Sequence, residues 1–227
     1  MVREAFEREL QRLEDEMLAM ASMVEQAIIE SVDSLKKQDV GCAQQLIDAD
    51  EAINDKRFEI EADCLIAIAT QQPMASDLRV LAAILSITSE LERMGDYAKG
   101  IARITLMIGK EPLLKPLIDI PRMAEQARAM LHQSIQAFVK RDVAWAKVIP
   151  DQDDVVDVLY NQVYRELMTF VISDPKHIDQ ANYLLWAAHN LERTADRVTN
   201  ICERVIFMVT GRMKEIESDD SGLESLS

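Results

Sequence analysis

Apolar residues recur at three- and four-residue spacing along almost the whole chain. From about Arg3 to Lys37 they fall at Leu10, Leu13, Met17, Met20, Met23, Val24, Ala27, Ile28, Val32 and Leu35. That is the stripe of an amphipathic helix of many turns, closed by the polar Lys36-Lys37-Gln38. Asp39 is placed to cap a second helix, which runs through Leu46, Ile53, Ile60, Leu65 and Ile68 to Gln71-Gln72-Pro73. Proline lacks an amide hydrogen and clashes with the preceding turn, so the helix stops there. Ser76 or Asp77 opens a third helix that reaches about Gly109.

Gly109-Lys110-Glu111-Pro112, with Pro116 and Pro121, makes the Pro-rich stretch, and residues 111–121 read as a linker. The pattern then restarts as a fourth helix from about Pro121 to Lys140, a fifth from about Asp142 to Ile172 and a sixth from about Lys176 to Met213. The restart is a repeat. Leu35-Lys36-Lys37-Gln38-Asp39-Val40 aligns with Phe138-Val139-Lys140-Arg141-Asp142-Val143 at an offset of 103, and past the next break Ile84-Leu85 aligns with Leu184-Leu185 at an offset of 100. The expected fold is therefore all-α, two tandem three-helix units over 1–110 and 122–213, followed by a small, acidic, disordered tail over 214–227.

Composition agrees with helices packed by aliphatic side chains: 48% hydrophobic but 5% aromatic, with 12 Met, 6 Gly and 6 Pro. Met17, Met20 and Met23 at helical spacing read as core. A net charge of −15 and a pI near 4.6 argue against nucleic acid as direct ligand, because phosphate backbones are held by surplus Lys and Arg. They favour cations or a basic protein surface. Cys42, Cys64 and Cys202 form no CxxC pair and read as reduced thiols. The charged opening Met1-Val2-Arg3-Glu4 and the lack of an ~18-residue apolar run lead to the expectation of a soluble, cytoplasmic protein.

The chemistry lies in a doubled motif. Glu90-Leu91-Glu92-Arg93-Met94-Gly95-Asp96 returns as Asn190-Leu191-Glu192-Arg193-Thr194-Ala195-Asp196. In each copy Glu and Asp are four apart, hence on one helical face. If the second and third helices pair antiparallel about Pro73, Glu92 lies level with Asn54 and Asp96 with Asp50. About the Asp174-Pro175 turn, Glu192 lies level with Asp157 and Asp196 with Asp153. The core stripes Leu81, Ile84, Leu91, Gly95, Ala98 and Leu184, Ala188, Leu191, Ala195, Val198 run beside the carboxylates, leaving them at the boundary of the bundle.

Four oxygen-bearing side chains on each seam suit a hard cation such as Mg²⁺ or Mn²⁺, or iron with water or oxo ligands. The competing reading is that Arg57, Arg93 and Arg193 neutralise them as ordinary ion pairs. The Glu-xxx-His steps of a di-iron bundle are missing: His132, His177 and His189 are preceded at that spacing by Ala129, Asp174 and Trp186. His189, one turn before Glu192, is a candidate peripheral ligand. No phosphate loop, GxSxG or zinc-type Cys/His spacing is present, and nothing in the sequence suggests an enzyme.

With Gln71-Gln72-Pro73-Met74-Ala75-Ser76-Asp77-Leu78-Arg79 and the two Leu-Glu-Arg segments in hand, the chain resembles the PhoU family from about Leu10 to Met213. The resemblance implies two tandem three-helix bundles and multinuclear metal sites at Asp50, Asn54, Glu92 and Asp96 and at Asp153, Asp157, Glu192 and Asp196. Asn54 departs from the carboxylate pattern, which makes the first the weaker site. The resemblance further implies a homodimeric negative regulator of phosphate uptake and phosphate-starvation genes. Its partners would be the ATPase subunit of a phosphate ABC transporter and a phosphate-sensing histidine kinase, at the inner face of the membrane. An iron-handling helical protein and a purely structural scaffold are the alternatives from other classes.

Overall fold

The computed structural model describes residues 2–213 and 216. The stretch expected to form an acidic tail lies, apart from Ile216, outside the described residues. Among these, all regular structure is helical: α1 (Val2–Lys37), α2 (Val40–Gln71), α3 (Ala75–Ile108), α4 (Asp119–Lys140), α5 (Val143–Val148), α6 (Asp153–Ser173) and α7 (Ile178–Thr210), with single 3-10 turns at Pro150–Gln152 and Pro175–His177. None of these helices is long and apolar enough to cross a membrane.

Local chemistry sets the ends. Asp39 caps α2 by accepting from the Cys42 amide at 3.0 Å, and its repeat counterpart Asp142 caps α5 by accepting from Trp145 at 2.9 Å. Pro73 stops α2, and Gln72 turns the chain in the left-handed region at φ 46°. Helix α3 opens at Ala75, slightly before Ser76 and Asp77. The expected fifth helix is broken. Pro150 cannot donate to the ladder, so α5 ends at Val148 and a 3-10 turn reorients the chain into α6. Pro175 acts likewise before α7, where Asp174 accepts from the Lys176 amide and the helix begins at Ile178, two residues later than Lys176.

Helices α1–α3 form one three-helix bundle, and α4, α6 and α7 the other, with α5 lying against α7. The central helices α3 and α7 make the most extensive contact in the molecule, and α1 also packs on α4, so one core runs through both repeats. Helices α3 and α7 cross antiparallel: Arg79 Nε donates to the Met208 carbonyl, while Gly100 faces Asn190. Met17, Met20, Leu81, Ile84, Leu91, Leu184, Ala188 and Ala195 are among the buried residues. Leu65 is not: it is 60% exposed, and Cys64, one residue earlier, fills the core position. The connection between the repeats is held down rather than loose. Gln180 accepts from the Leu114 amide and donates to the Pro112 carbonyl, Lys115 pairs with Glu166, and Leu117 is buried.

Candidate metal seams

Gly95 lets α2 and α3 approach closely. A Cβ there would stand 3.3 Å from Ile53 and 3.6 Å from Asp50 Oδ1. Beside that contact the structure brings together Asp50, Asn54, Glu92 and Asp96, and with them two cations. Lys99 Nζ donates to Asp50 Oδ2 at 2.6 Å and stands 3.7 Å from Asp96. Arg57 lies 3.5 Å from Glu92 while donating to Glu61 at 2.8 Å. The Asn54 amide nitrogen donates to the same Asp50 oxygen at 3.0 Å. Asp50 is only 4% exposed, so its pairing with Lys99 is an interior one. Burial raises the Glu92 carboxyl and Arg57 pulls it back. The hydrogen bond to Asp50 raises the Lys99 ammonium, keeping it charged. Met23, Ala27, Leu46, Ile53, Gly95 and Ala98 line much of a partly open cavity of about 240 Å³ next to Lys99.

The second seam has the same backbone plan and different electrostatics. Asp153, in the first turn of α6, and Glu192 on α7 stand beside Asp157 and Asp196. Burial first, then the charges of Asp196 and Asp157, push Asp153 up to about 8. Glu192 is raised by burial and by Asp196, and lowered by His189, whose Nδ1 is 3.0 Å from Glu192 Oε2. Asp153 Oδ1 is buried without a hydrogen-bond partner. Tyr160 closes the side of the seam, its ring 6.2 Å from that of His189 and its hydroxyl raised by burial and by the Glu192 charge. The nearby arginines point elsewhere: Arg193 stacks 4.7 Å over Tyr97, and Arg197 lies 3.5 Å from Glu90, both across the α3–α7 contact.

The repeat offsets account for the difference. Arg57 aligns with Tyr160 and Lys99 with Thr199, so both cations of the first seam are replaced by neutral residues in the second. Lys99 escapes a motif search because it lies outside the Glu-xxx-Asp frame; its signal is the mismatch with Thr199 in the aligned repeat. The donor sets fit a cation unequally. A buried orphan oxygen amid mutually repelling carboxylates fits one. An acid already bound to an ammonium and to an amide N–H does not. Among the described residues no group of three or more His, Cys, Asp or Glu side chains is disposed to hold a metal ion, so an ion at the second seam would require side-chain rotation.

Fold and seams together define a class: an all-α tandem repeat in which each three-helix unit carries a Glu-xxx-Asp helix facing an acidic partner helix. The PhoU domain model matches residues 17–105 and again 120–205, once per repeat. A PhoU homolog of Aquifex aeolicus, called a phosphate-specific transport system accessory protein, is 38% identical over 91% of this chain and 93% of its own length. A Clostridium acetobutylicum protein of the same description is 35% identical over 95% of this chain and 99% of its own. The crystal structure of PhoU from Pseudomonas aeruginosa superposes with a TM-score of 0.85 at 32% identity, covering 91% of this chain and all of that one. The phosphate transport system regulatory protein PhoU from Streptococcus pneumoniae gives 0.84 at 31% identity, over 92% of this chain and 99% of that one. The chain belongs to the PhoU family.

Proposed function

We propose that this protein is a non-enzymatic accessory regulator of phosphate transport, restraining phosphate uptake and phosphate-starvation genes when phosphate is plentiful. The observation that carries this reading is full-length similarity, in both repeats, to proteins described as phosphate-specific transport system accessory proteins. The long rigid helices and the acidic surface suit an adaptor. Its faces would dock on the ATPase subunit of a phosphate ABC transporter and on a phosphate-sensing histidine kinase at the inner face of the membrane, as a cytoplasmic homodimer. Helices tied into one continuous core transmit a change at one seam to neighbouring faces better than independent domains do.

Asp153, Asp157, Glu192 and Asp196 would hold a divalent or iron-type ion. Bound there, it would neutralise the acidic seam and draw α6 and α7 together, altering the charge and shape of that face. Deleting the gene and following a phosphate-starvation reporter in phosphate-rich medium tests the regulatory role: the reporter is expected to switch on. A reporter that stays silent contradicts it. Metal analysis of the purified protein beside a Glu192→Gln/Asp196→Asn variant tests the ion, with metal lost from the variant as the expected result.

A further inference from the structure

We infer that the two seams are not equivalent, and that the first takes no metal because Lys99 and Arg57 already occupy the place of the cation. This inference rests on the metal reading of the second seam and departs from the expectation that both repeats carry metal. Three observations converge. The Lys99 ammonium sits 2.6 Å from Asp50 and 3.7 Å from Asp96, so one side chain meets two of the four expected ligands. Arg57 is 3.5 Å from a third, Glu92. The fourth, Asn54, turns its N–H toward Asp50 rather than offering its carbonyl there.

An incoming dication has to displace an ammonium from an acid that is 4% exposed, and then share the site with it. Loss of a buried partner leaves a charge in a poorly solvated place, while two like charges at ion-pair distance repel strongly where water does not screen them. In the second repeat Tyr160 and Thr199 stand at the aligned positions, so neither of the aligned cations is present, and Asp153 Oδ1 is buried without a hydrogen-bond partner. The repeat thus uses one backbone plan twice, once as a self-neutralised structural clamp and once as an ion site.

The test is metal content of the full chain after exposure to Mn²⁺, or anaerobically to Fe²⁺, and removal of free ion by gel filtration. Glu92→Gln/Asp96→Asn should retain the metal of the wild type, whereas Glu192→Gln/Asp196→Asn should bind roughly tenfold less or weaker. Removing the cations should create the missing site: Asn54→Asp/Arg57→Tyr/Lys99→Thr, which copies the second repeat, should carry about twice the metal of the wild type if each seam holds the same complement. The reciprocal Tyr160→Arg/Thr199→Lys variant should lose metal, and it answers the same question if the triple variant fails to fold. Metal lost on Glu92→Gln/Asp96→Asn in a protein of unchanged helicity overturns the inference and leaves the metal reading standing. Absence of metal on the wild type overturns that reading and this inference together.

Discussion

Replacing Asp153 with Asn gives the sharpest reading of the second seam, because the substitution keeps the shape of a protonated Asp and removes its charge. In the folded chain burial, Asp196 and Asp157 hold this carboxyl at about 8, against ~3.9 in an unfolded chain. The raised value means the folded state holds the proton more tightly. Stability of the metal-free protein therefore falls as pH rises from ~4 to 8 and levels off above. At ~1.4 kcal/mol per unit, the ceiling between pH 5 and 8 is about 4 kcal/mol.

Two features of the structure lower that ceiling. Asp153 lies in the first turn of α6, where the helix dipole favours a carboxylate by ~0.3–1 kcal/mol. Glu192, raised in the same seam, titrates together with it and water partly screens this half-buried group, so an advantage of about 2 kcal/mol is expected for Asp153→Asn at pH 8 over its value at pH 5. In a chain of this size that is roughly 4–8 °C in Tm. Thermal melts of wild type and variant at intervals from pH 5 to 8.5, with chelator present, measure it. A variant whose advantage does not widen with pH, or that melts below the wild type at pH 8, would refute the buried-carboxylate reading of this seam.

Gly95→Val forces a branched side chain against Ile53, 3.3 Å from where its Cβ would lie, and is expected to cost about 2 kcal/mol in urea denaturation. In Gly95→Ala, helix propensity worth ~1 kcal/mol offsets most of the displacement. Leu91→Ala and Leu191→Ala remove equivalent buried side chains and should each cost about 3 kcal/mol. Both should melt in one transition, because the core is continuous; separate transitions for the two repeats would contradict that. Cys64 and Cys202 are fully buried and their thiols are pushed up to about 12. At pH 8 a thiol reagent should therefore reach only Cys42 in the native protein and all three in urea; rapid native reaction of all three would contradict this packing.

Much of this molecule is determined by local pattern. A 3.6-residue period specifies helices and their buried stripes, and the stripes Leu81 to Ala98 and Leu184 to Val198 are indeed buried. Prolines at 73 and 175 stop helices because of their own covalent structure, and the antiparallel hairpins then set which carboxylates lie level. The break at Pro150 was equally present in the sequence but masked by the periodicity running through it. Leu65 shows the limit of periodicity from the other side: either Cys64 or Leu65 satisfies the stripe, and packing against α1 and α3 selects Cys64.

What only the tertiary structure decides is the company each charge keeps. In the sequence Arg57, Arg93 and Arg193 were equal candidates to neutralise the seams. Docking of α3 against α7 draws Arg193 onto Tyr97 and Arg197 toward Glu90, while Arg57 remains beside Glu92 and Lys99 folds back on Asp50. A long side chain anchored on a helix can reach several partners, and the helix packed beside it determines which one is within range. The repeat pattern therefore specifies two similar carboxylate seams, and the sequence differs between them at Arg57 and Lys99 against Tyr160 and Thr199; interhelical packing decides that these two cations land on the acids of the first seam.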